Sequence, residues 1–199
     1  GLAIKMWTRP NILALLRIVL IPVFVVLFYL PVEWARFSCA VVFSVAAVTD
    51  WFDGYLARRW GQVSPFGAFL DPVADKLMVA VSLLLLVQSE PTPAFAIPAA
   101  VIIGREITIS ALREWMAELG ARTMVAVSLI GKFKTAVQMV AILLLIYEKP
   151  LWGIPIYTVG FVLLYIAAIL TLWSMVIYLR AAWPSLLGER RMSGSLEQK

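Results

Sequence analysis

Six long apolar runs, separated by short polar turns, most strongly limit how this chain can fold. They cover residues 12–31, 36–58, 66–88, 94–116, 124–147 and 156–181. An α-helix rises about 1.5 Å per residue, so roughly 20 apolar residues cross a bilayer core about 30 Å thick. Every run is long enough for one crossing, and no linker divides the series. The sequence therefore predicts an all-α membrane protein, a six-transmembrane-helix bundle that forms a single domain over residues 1–185.

The two ends of the chain are more polar than the runs. Residues 1–10 combine Lys5, Trp7 and Arg9 with apolar side chains. This mixture predicts a short amphipathic segment at the membrane surface, with a disordered start as the alternative. The apolar stretch that follows has no cleavage site of small residues, so a removable signal peptide is not expected. Residues 186–199 are predicted to be a polar tail, part of which resembles vector-derived sequence.

Composition removes several classes of function. The chain is 62% hydrophobic and 15% charged, far from the balance of a soluble domain. It has no His and a single Cys, Cys39, which excludes a disulfide framework, a Cys/His zinc site and a His-based catalytic triad. Cys39 lies in an apolar run and is expected to be a small packing residue. No basic stripe on a soluble module is present, so nucleic acid is not an expected partner.

The basic residues predict how the bundle is oriented. Of the 17 Lys and Arg residues, 15 lie in the termini or near the turns between helices two and three and between helices four and five. Only Arg36 and Lys149 belong to the opposite side. Because cytoplasmic loops are enriched in Lys and Arg, both termini and these two turns are predicted to be cytoplasmic.

All four Asp residues of the chain fall within residues 50–75. Asp50 and Asp53 are spaced i, i+3 near the end of the second run, and Asp71 and Asp75 are spaced i, i+4 near the start of the third. Each pair therefore lies on one helix face, and the short connection makes the two helices antiparallel neighbours. The two pairs are expected to face each other across a cleft at the cytoplasmic end of the bundle.

Four carboxylates this close in an apolar setting repel one another strongly, so they predict a bound cation. Oxygen ligands without His or Cys favour Mg²⁺ or Mn²⁺, and two ions sharing carboxylates suit phosphoryl transfer. Gly54 and Ala57, one turn from the Asp pair, leave room for a flat group. The alternative, polar residues that merely join helices, explains one intramembrane Asp better than four.

The spacing of these residues resembles the signature of the CDP-alcohol phosphotransferase family. Every defined position of the pattern D-x2-D-G-x2-A-R-x8-G-x3-D-x3-D is present over residues 50–75. The resemblance implies six transmembrane helices, a homodimer, and transfer of a phosphatidyl or related group from a CDP-linked donor to an alcohol with release of CMP. It implies two metal ions held by Asp50, Asp53, Asp71 and Asp75, with Asp75 as the general base. It also implies a nucleotide site formed by Asp53, Gly54, Ala57, Arg58 and Gly67.

A second group of residues bears on the acceptor alcohol. Arg105 and Arg113 are spaced i, i+8 near the end of the fourth run, and Lys132 and Lys134 open the fifth. Arg binds phosphate bidentately, so this cluster predicts an anionic acceptor. Anchoring to lipid head groups is the alternative for any one of these residues, and it suits Arg105 least because Arg105 lies deeper in an apolar run.

The same segments resemble the bacterial branch of the family that uses CDP-diacylglycerol as donor and sn-glycerol 3-phosphate as acceptor. The similarity rests on residues 105–114 and 131–135 and on the start of the first run, and it extends from about residue 10 to 180. It implies that Arg105, Arg113, Lys132 and Lys134 bind the acceptor phosphate, in an enzyme of the bacterial inner membrane whose site faces the cytoplasm. Asn11 and Arg17 are either supports of this site or simple membrane anchors.

Two alternative functions remain at this stage. A sister enzyme would use the same site with inositol phosphate, serine or phosphatidylglycerol as acceptor, which a panel of acceptors would separate. A divalent-cation transporter would also place acidic residues within a membrane. Such a path needs polar groups through the whole membrane depth, whereas the outer halves of the runs are almost wholly apolar.

Overall fold

The structure, a computed structural model, describes residues 9–60, 65–118 and 129–196. These residues form six α-helices, which confirms the predicted all-helical class. The helices are α1 (Arg9–Tyr29), α2 (Ala35–Trp60), α3 (Pro65–Ser89), α4 (Pro93–Glu118), α5 (Leu129–Tyr147) and α6 (Ile156–Leu196). The segment predicted to be amphipathic is described only from residue 9 onward, where it is part of α1.

Five of these helices contain a stretch that is long and apolar enough to cross a membrane. The stretches are Asn11–Tyr29, Ala35–Phe52, Pro72–Ser89, Pro93–Trp115 and Ile156–Arg180. The apolar part of α5, Phe133–Tyr147, is shorter. The predicted fifth run began at residue 124, and its first residues lie outside the described part of the chain. A multi-pass membrane protein is therefore the architecture that the described residues support.

The last helix is longer than the sequence predicted. The apolar run was expected to end near residue 181 and to give way to a polar tail from residue 186, but α6 continues to Leu196. A helix that is already formed extends at little cost, because each further residue adds one hydrogen bond without a new nucleus. Residues 185–192 include Leu, Glu, Arg and Met, which favour helix, so polarity here ends the apolar run without ending the helix.

The apolar core fills the interior of the bundle between its two polar ends. Phe24, Phe43, Phe95, Leu145 and Leu164, one from each of five helices, are among its fully buried side chains. Core residues of α3, such as Leu83 and Leu86, complete it. Because this core is close-packed, it fixes the relative positions of the helices whose ends carry the polar residues.

α5 and α6 approach each other closely at Gly160. Gly160 on α6 lies so close to α5 that a Cβ atom there would be 3.0 Å from Cβ of Leu144 and 3.2 Å from the carbonyl oxygen of Ala141. Small residues permit this kind of close approach between membrane helices. The turn that joins the two helices contains Trp152 and Gly153, both with positive φ. Together the turn and Gly160 fix α6 against α5.

Candidate active site

Arg17 is buried within the bundle and pairs with the first Asp of the signature. Its side chain is only 3% exposed, and Nη1 donates to Oδ1 of Asp50 at 2.5 Å. The pair joins α1 to the end of α2 where that helix leaves the apolar core. A head-group anchor would extend toward water, so this burial favours a supporting role at the site. Asn11 is also buried, two turns earlier on α1.

Asp75, on α3, lies between two cavities. It shares a small space of about 10 Å³ with Arg17 and apolar side chains of α2, α3 and α5. Asp50 and Arg17 both lie near enough for their charges to act on its carboxylate, so the structure places the two described Asp residues in the same region. Carboxylate oxygens are the hard ligands that Mg²⁺ or Mn²⁺ prefers, so Asp50 and Asp75 have the chemistry to bind such an ion, although Arg17 occupies one oxygen of Asp50.

The other residues of the signature are placed only by their backbone. Asp53, Gly54, Ala57 and Arg58 lie in the last turns of α2, Gly67 and Asp71 lie in the first turns of α3, and Lys132 lies in the first turn of α5. Their side chains lie outside the described part of the structure. Among the residues that are described, no three acidic or Cys side chains converge on one point. The complete set of metal and nucleotide ligands therefore remains a prediction.

A larger polar cavity of about 260 Å³ opens on the other side of Asp75. It lies between α3, α4 and α5. Its polar lining consists of Asp75, Lys76, Arg105, Glu106, Arg113, Lys134, Thr135 and Gln138. The structure thus brings together three of the four residues predicted to bind an acceptor phosphate and the predicted general base. Four of the lining side chains are cationic and two are anionic, so the cavity suits an anion.

Glu106 holds two of these cations in place. Its Oε1 accepts hydrogen bonds from Nη1 of Arg105 at 2.9 Å and from Nζ of Lys134 at 3.4 Å. Lys134 is 3% exposed, so its ammonium group is almost fully removed from water. A buried charge requires a partner of opposite sign, and Glu106 supplies one from the neighbouring helix. The carboxylate therefore orients Arg105 and Lys134 on the wall of the cavity.

Three further polar side chains join this site although the sequence patterns did not single them out. Ser174 on α6 accepts a hydrogen bond from Nη2 of Arg105 at 3.1 Å, and Ser110 accepts one from Nζ of Lys76. Gln138 is 5% exposed and lies on the cavity wall. Its spacing of four residues from Lys134 was the only signal in the sequence that could have identified it. Ser174 lies 69 residues from Arg105, and no sequence pattern links the two.

An apolar groove of about 360 Å³ adjoins the polar cavity between α3 and α4. It is lined by side chains such as Leu77, Ile103 and Ile107, of which Leu77 and Ile107 are exposed on the outer surface of the bundle. Lys76 and Glu106 line both spaces. A polar cavity and a surface that faces lipid therefore meet at these two residues.

Comparisons with known proteins point to one family. A family profile described as CDP-alcohol phosphatidyltransferase matches residues 7–173. A protein of Shigella flexneri serotype 5b (strain 8401), named CDP-diacylglycerol–glycerol-3-phosphate 3-phosphatidyltransferase, is 56% identical over 180 residues, covering 90% of this chain and 97% of that protein. The protein of the same name from Escherichia coli (strain K12) is 55% identical with the same coverage.

Proposed function

The chain belongs to the CDP-alcohol phosphatidyltransferase family, and from that premise we propose that it is a phosphatidylglycerophosphate synthase. It transfers the phosphatidyl group of CDP-diacylglycerol to sn-glycerol 3-phosphate and releases CMP, a step in the synthesis of phosphatidylglycerol and cardiolipin. One structural observation carries the choice of acceptor: a single cavity brings Asp75 together with Arg105, Arg113 and Lys134.

The cationic wall of the cavity binds the acceptor phosphate in this proposal. Arg105 and Arg113 offer planar guanidinium groups that can donate to two phosphate oxygens at once, and Lys134 adds a point charge. Lys132 is proposed to join them from the first turn of α5. Nε of Arg105 is buried and has no hydrogen-bond partner among the described residues, so it remains available to a ligand. A phosphate held here leaves the glycerol hydroxyls free to extend toward Asp75.

Asp75 takes the proton of the reacting hydroxyl. The free primary hydroxyl oxygen of glycerol 3-phosphate forms a bond to the lipid-side phosphorus of CDP-diacylglycerol. The bond from that phosphorus to the bridging oxygen breaks, and the electron pair leaves with CMP. The carboxylate of Asp75 accepts the hydroxyl proton as the new bond forms. No covalent intermediate on the protein is required.

The four Asp residues are proposed to hold two divalent ions, Mg²⁺ or Mn²⁺, beside the donor pyrophosphate. When bound, such ions offset the charge that develops on the leaving CMP. Asp50 and Asp75 would contribute from α2 and α3, joined by Asp53 and Asp71. Arg17 holds the Asp50 carboxylate in position through its hydrogen bond. Asp53, Gly54, Ala57, Arg58 and Gly67 are proposed to bind the cytidine nucleotide, with Asn11 as a further support.

The arrangement of the bundle completes the proposal. An amphiphilic donor needs a polar site next to a surface that accepts lipid, and the apolar groove beside the cavity meets that need. We propose six membrane crossings, the sixth being α5 together with the residues before it. Both termini and the active site are proposed to face the cytoplasm, and the chain is proposed to form a homodimer in the bacterial inner membrane.

The test is a panel of acceptors offered to the purified protein with CDP-diacylglycerol and Mg²⁺ or Mn²⁺, with release of CMP as the readout. We expect turnover with glycerol 3-phosphate that exceeds turnover with serine, inositol phosphate or phosphatidylglycerol by at least about 100-fold, because only the correct acceptor satisfies the buried polar groups. Preference for another acceptor would assign the chain to a sister activity. Metal flux into liposomes without CMP release would instead support a transporter.

A further inference from the structure

Gln138 carries a polar atom that the folded chain leaves without a partner. The side chain is 5% exposed, and Oε1 forms no hydrogen bond to any described residue. Buried polar atoms are nearly always satisfied, so such an exception calls for an explanation. Because Gln138 lines the polar cavity, a ligand in that cavity can supply a hydrogen-bond donor to Oε1.

The position of Gln138 along α5 indicates which part of a ligand it meets. Lys134 lies one turn earlier on the same helix face and belongs to the cationic wall. Met139, next to Gln138 in the chain, lines both this cavity and the small space that contains Asp75. Along α5 the order is therefore the cationic wall, then Gln138, then the level of Asp75. Gln138 thus lies between the proposed phosphate site and the proposed base.

The chemistry of Oε1 limits what it can bind. A carbonyl oxygen accepts hydrogen bonds and donates none, so it cannot pair with an ionised phosphate, which also only accepts. A hydroxyl group is a donor that fits. Glycerol 3-phosphate has two hydroxyls, and the central one lies between the phosphate and the hydroxyl that reacts. The order of groups along the substrate is the same as the order of groups along α5.

We infer that Oε1 of Gln138 accepts a hydrogen bond from the central hydroxyl of the acceptor, and that Gln138 thereby selects acceptors carrying this group. The inference rests on the proposed function, because it assumes that the acceptor is a polyol phosphate. A site that hydrogen-bonds a substrate hydroxyl discriminates strongly against the analogue that lacks it, since the buried partner is then left unpaired. Gln138 is a specificity residue in this account, and proton transfer remains with Asp75.

The experiment compares two acceptors that differ only in this hydroxyl. Glycerol 3-phosphate and 3-hydroxypropyl phosphate are each offered with CDP-diacylglycerol to the wild-type protein and to Gln138→Met, whose side chain is similar in length and unbranched. The wild type is expected to prefer glycerol 3-phosphate by at least about 50-fold in kcat/KM. In Gln138→Met this preference is expected to fall below about 5-fold, mainly through loss of activity with glycerol 3-phosphate.

The control variant is Gln88→Met. Gln88 is exposed at the opposite end of the bundle, where it accepts a hydrogen bond from Tyr29, and its replacement should leave the acceptor preference unchanged. The measured quantity is a ratio for two substrates on one preparation, so a partly unfolded fraction cancels. Gln138→Leu provides a second variant if Gln138→Met cannot be purified.

Three results would contradict the inference. Equal loss of activity with both acceptors in Gln138→Met would indicate a purely structural role, such as a polar contact between helices. A wild-type protein that uses both acceptors equally well would show that no residue of the site recognises the central hydroxyl. A wild-type protein that does not use glycerol 3-phosphate at all would overturn the proposed function, and the inference with it.

Discussion

Asp75 is held where its charge is costly. It lies on α3, largely removed from water and near Asp50, whose charge opposes its own while Arg17 and Lys76 favour it, and it forms no hydrogen bond or ion pair with the described residues. Asp50, by contrast, has the guanidinium group of Arg17 at 2.5 Å. The two carboxylates thus differ in kind: one is stabilised by the fold, and the other is kept in an unfavourable setting. Residues of the second kind are typical of sites where function, not stability, selects the side chain.

This contrast predicts that Asp75→Asn separates activity from stability. Removing the carboxylate removes the proton acceptor and a proposed metal ligand, so CMP release should fall by at least about 10³-fold. The repulsion from Asp50 also disappears, so the thermal unfolding temperature should stay the same or rise. Activity assays and thermal unfolding of the same detergent-solubilised samples check the two effects.

The matched control for this variant is Glu90→Gln, one residue beyond the far end of α3. It also neutralises one acidic residue, but far from the cavity, and both measurements should remain at the wild-type level. A large fall in the unfolding temperature of Asp75→Asn would show that Asp75 is a structural residue, contrary to the argument above.

Lys134 is predicted to contribute to acceptor binding alone. It is 3% exposed, lines the polar cavity beside Glu106, and is not among the residues that line the apolar groove. Lys134→Met keeps the apolar stem and removes the charge, so KM for glycerol 3-phosphate should rise by at least about 10-fold, equivalent to about 1.4 kcal/mol. KM for CDP-diacylglycerol should change by less than about 2-fold.

Lys149→Met serves as the comparison for this change. Lys149 is exposed at the other end of the bundle, where its ammonium group donates to the carbonyl oxygen of Glu33 at 3.4 Å. Neither Michaelis constant should change in this variant. A rise in KM for the CDP-lipid in Lys134→Met would place Lys134 at the donor site, against the proposal.

At the scale of the helix, the sequence predicted most of what the structure shows. Apolar runs bounded by Pro and Gly placed all six helices, because length and hydrophobicity dominate helix choice in a membrane. The end of α6 was missed because loss of hydrophobicity marks the edge of a membrane segment and not the end of a helix. The spacing of Arg105 and Arg113 was enough to predict that both lie on one side of α4, because positions along a single helix follow from helix geometry alone.

The parts of the site that the sequence did not predict depend on contacts between helices. Ser174 meets Arg105 only because α6 packs beside α4, and Gln138 reaches the cavity only because α5 is rotated to place Lys134 there. Residue spacing within one helix cannot predict such rotation. The side chains of Asp53 and Asp71 lie outside the described residues, so their predicted convergence with Asp50 and Asp75 remains a prediction.

The contact between α5 and α6 gives a prediction at the same scale. In Gly160→Ala, the added methyl group would lie 3.0–3.2 Å from atoms of Leu144, Leu145 and Ala141, so these neighbours must shift by a few tenths of an ångström. Overpacking of this kind costs about 1–3 kcal/mol, and the thermal unfolding temperature should fall by several degrees. Activity should also fall, because α5 carries Lys134 and Gln138.

Gly104→Ala is the matched substitution on α4. A Cβ atom at Gly104 has no described atom within 4 Å, so the change should be neutral or stabilising by up to about 1 kcal/mol, the usual gain from Ala over Gly in a helix. If both variants unfold at the wild-type temperature, the close approach of α5 and α6 is not needed for stability. Loss of stability in Gly104→Ala alone would reveal a contact that this face makes with another molecule.

For the whole molecule, the polar residues divide into two ends of different character. One end has the cavity with Lys76, Arg105, Arg113 and Lys134. At the other end, Arg36 in the first turn of α2 pairs with Glu148 after α5 at 3.6 Å. The apolar core lies between them. One substrate is a water-soluble anion and the other is a membrane lipid. The cationic end must therefore face the compartment that supplies the anion, so the orientation in the membrane is part of the mechanism.

The orientation is predicted to place the α5–α6 turn outside the cytoplasm. Trp152 in this turn is 90% exposed, and Trp183, toward the end of α6, is also exposed.

The orientation is tested by labelling single cysteines. Cys39, the only native cysteine, is buried and is replaced by Ala to give a cysteine-free background. In intact spheroplasts, a charged maleimide that cannot cross membranes should label Trp152→Cys. It should label Trp183→Cys only after the membrane is permeabilised, because the many Lys and Arg residues at that end stay in the cytoplasm. The reverse labelling pattern would place the cationic cavity outside the cytoplasm, where glycerol 3-phosphate is not supplied. That result would contradict both the orientation and the proposed acceptor.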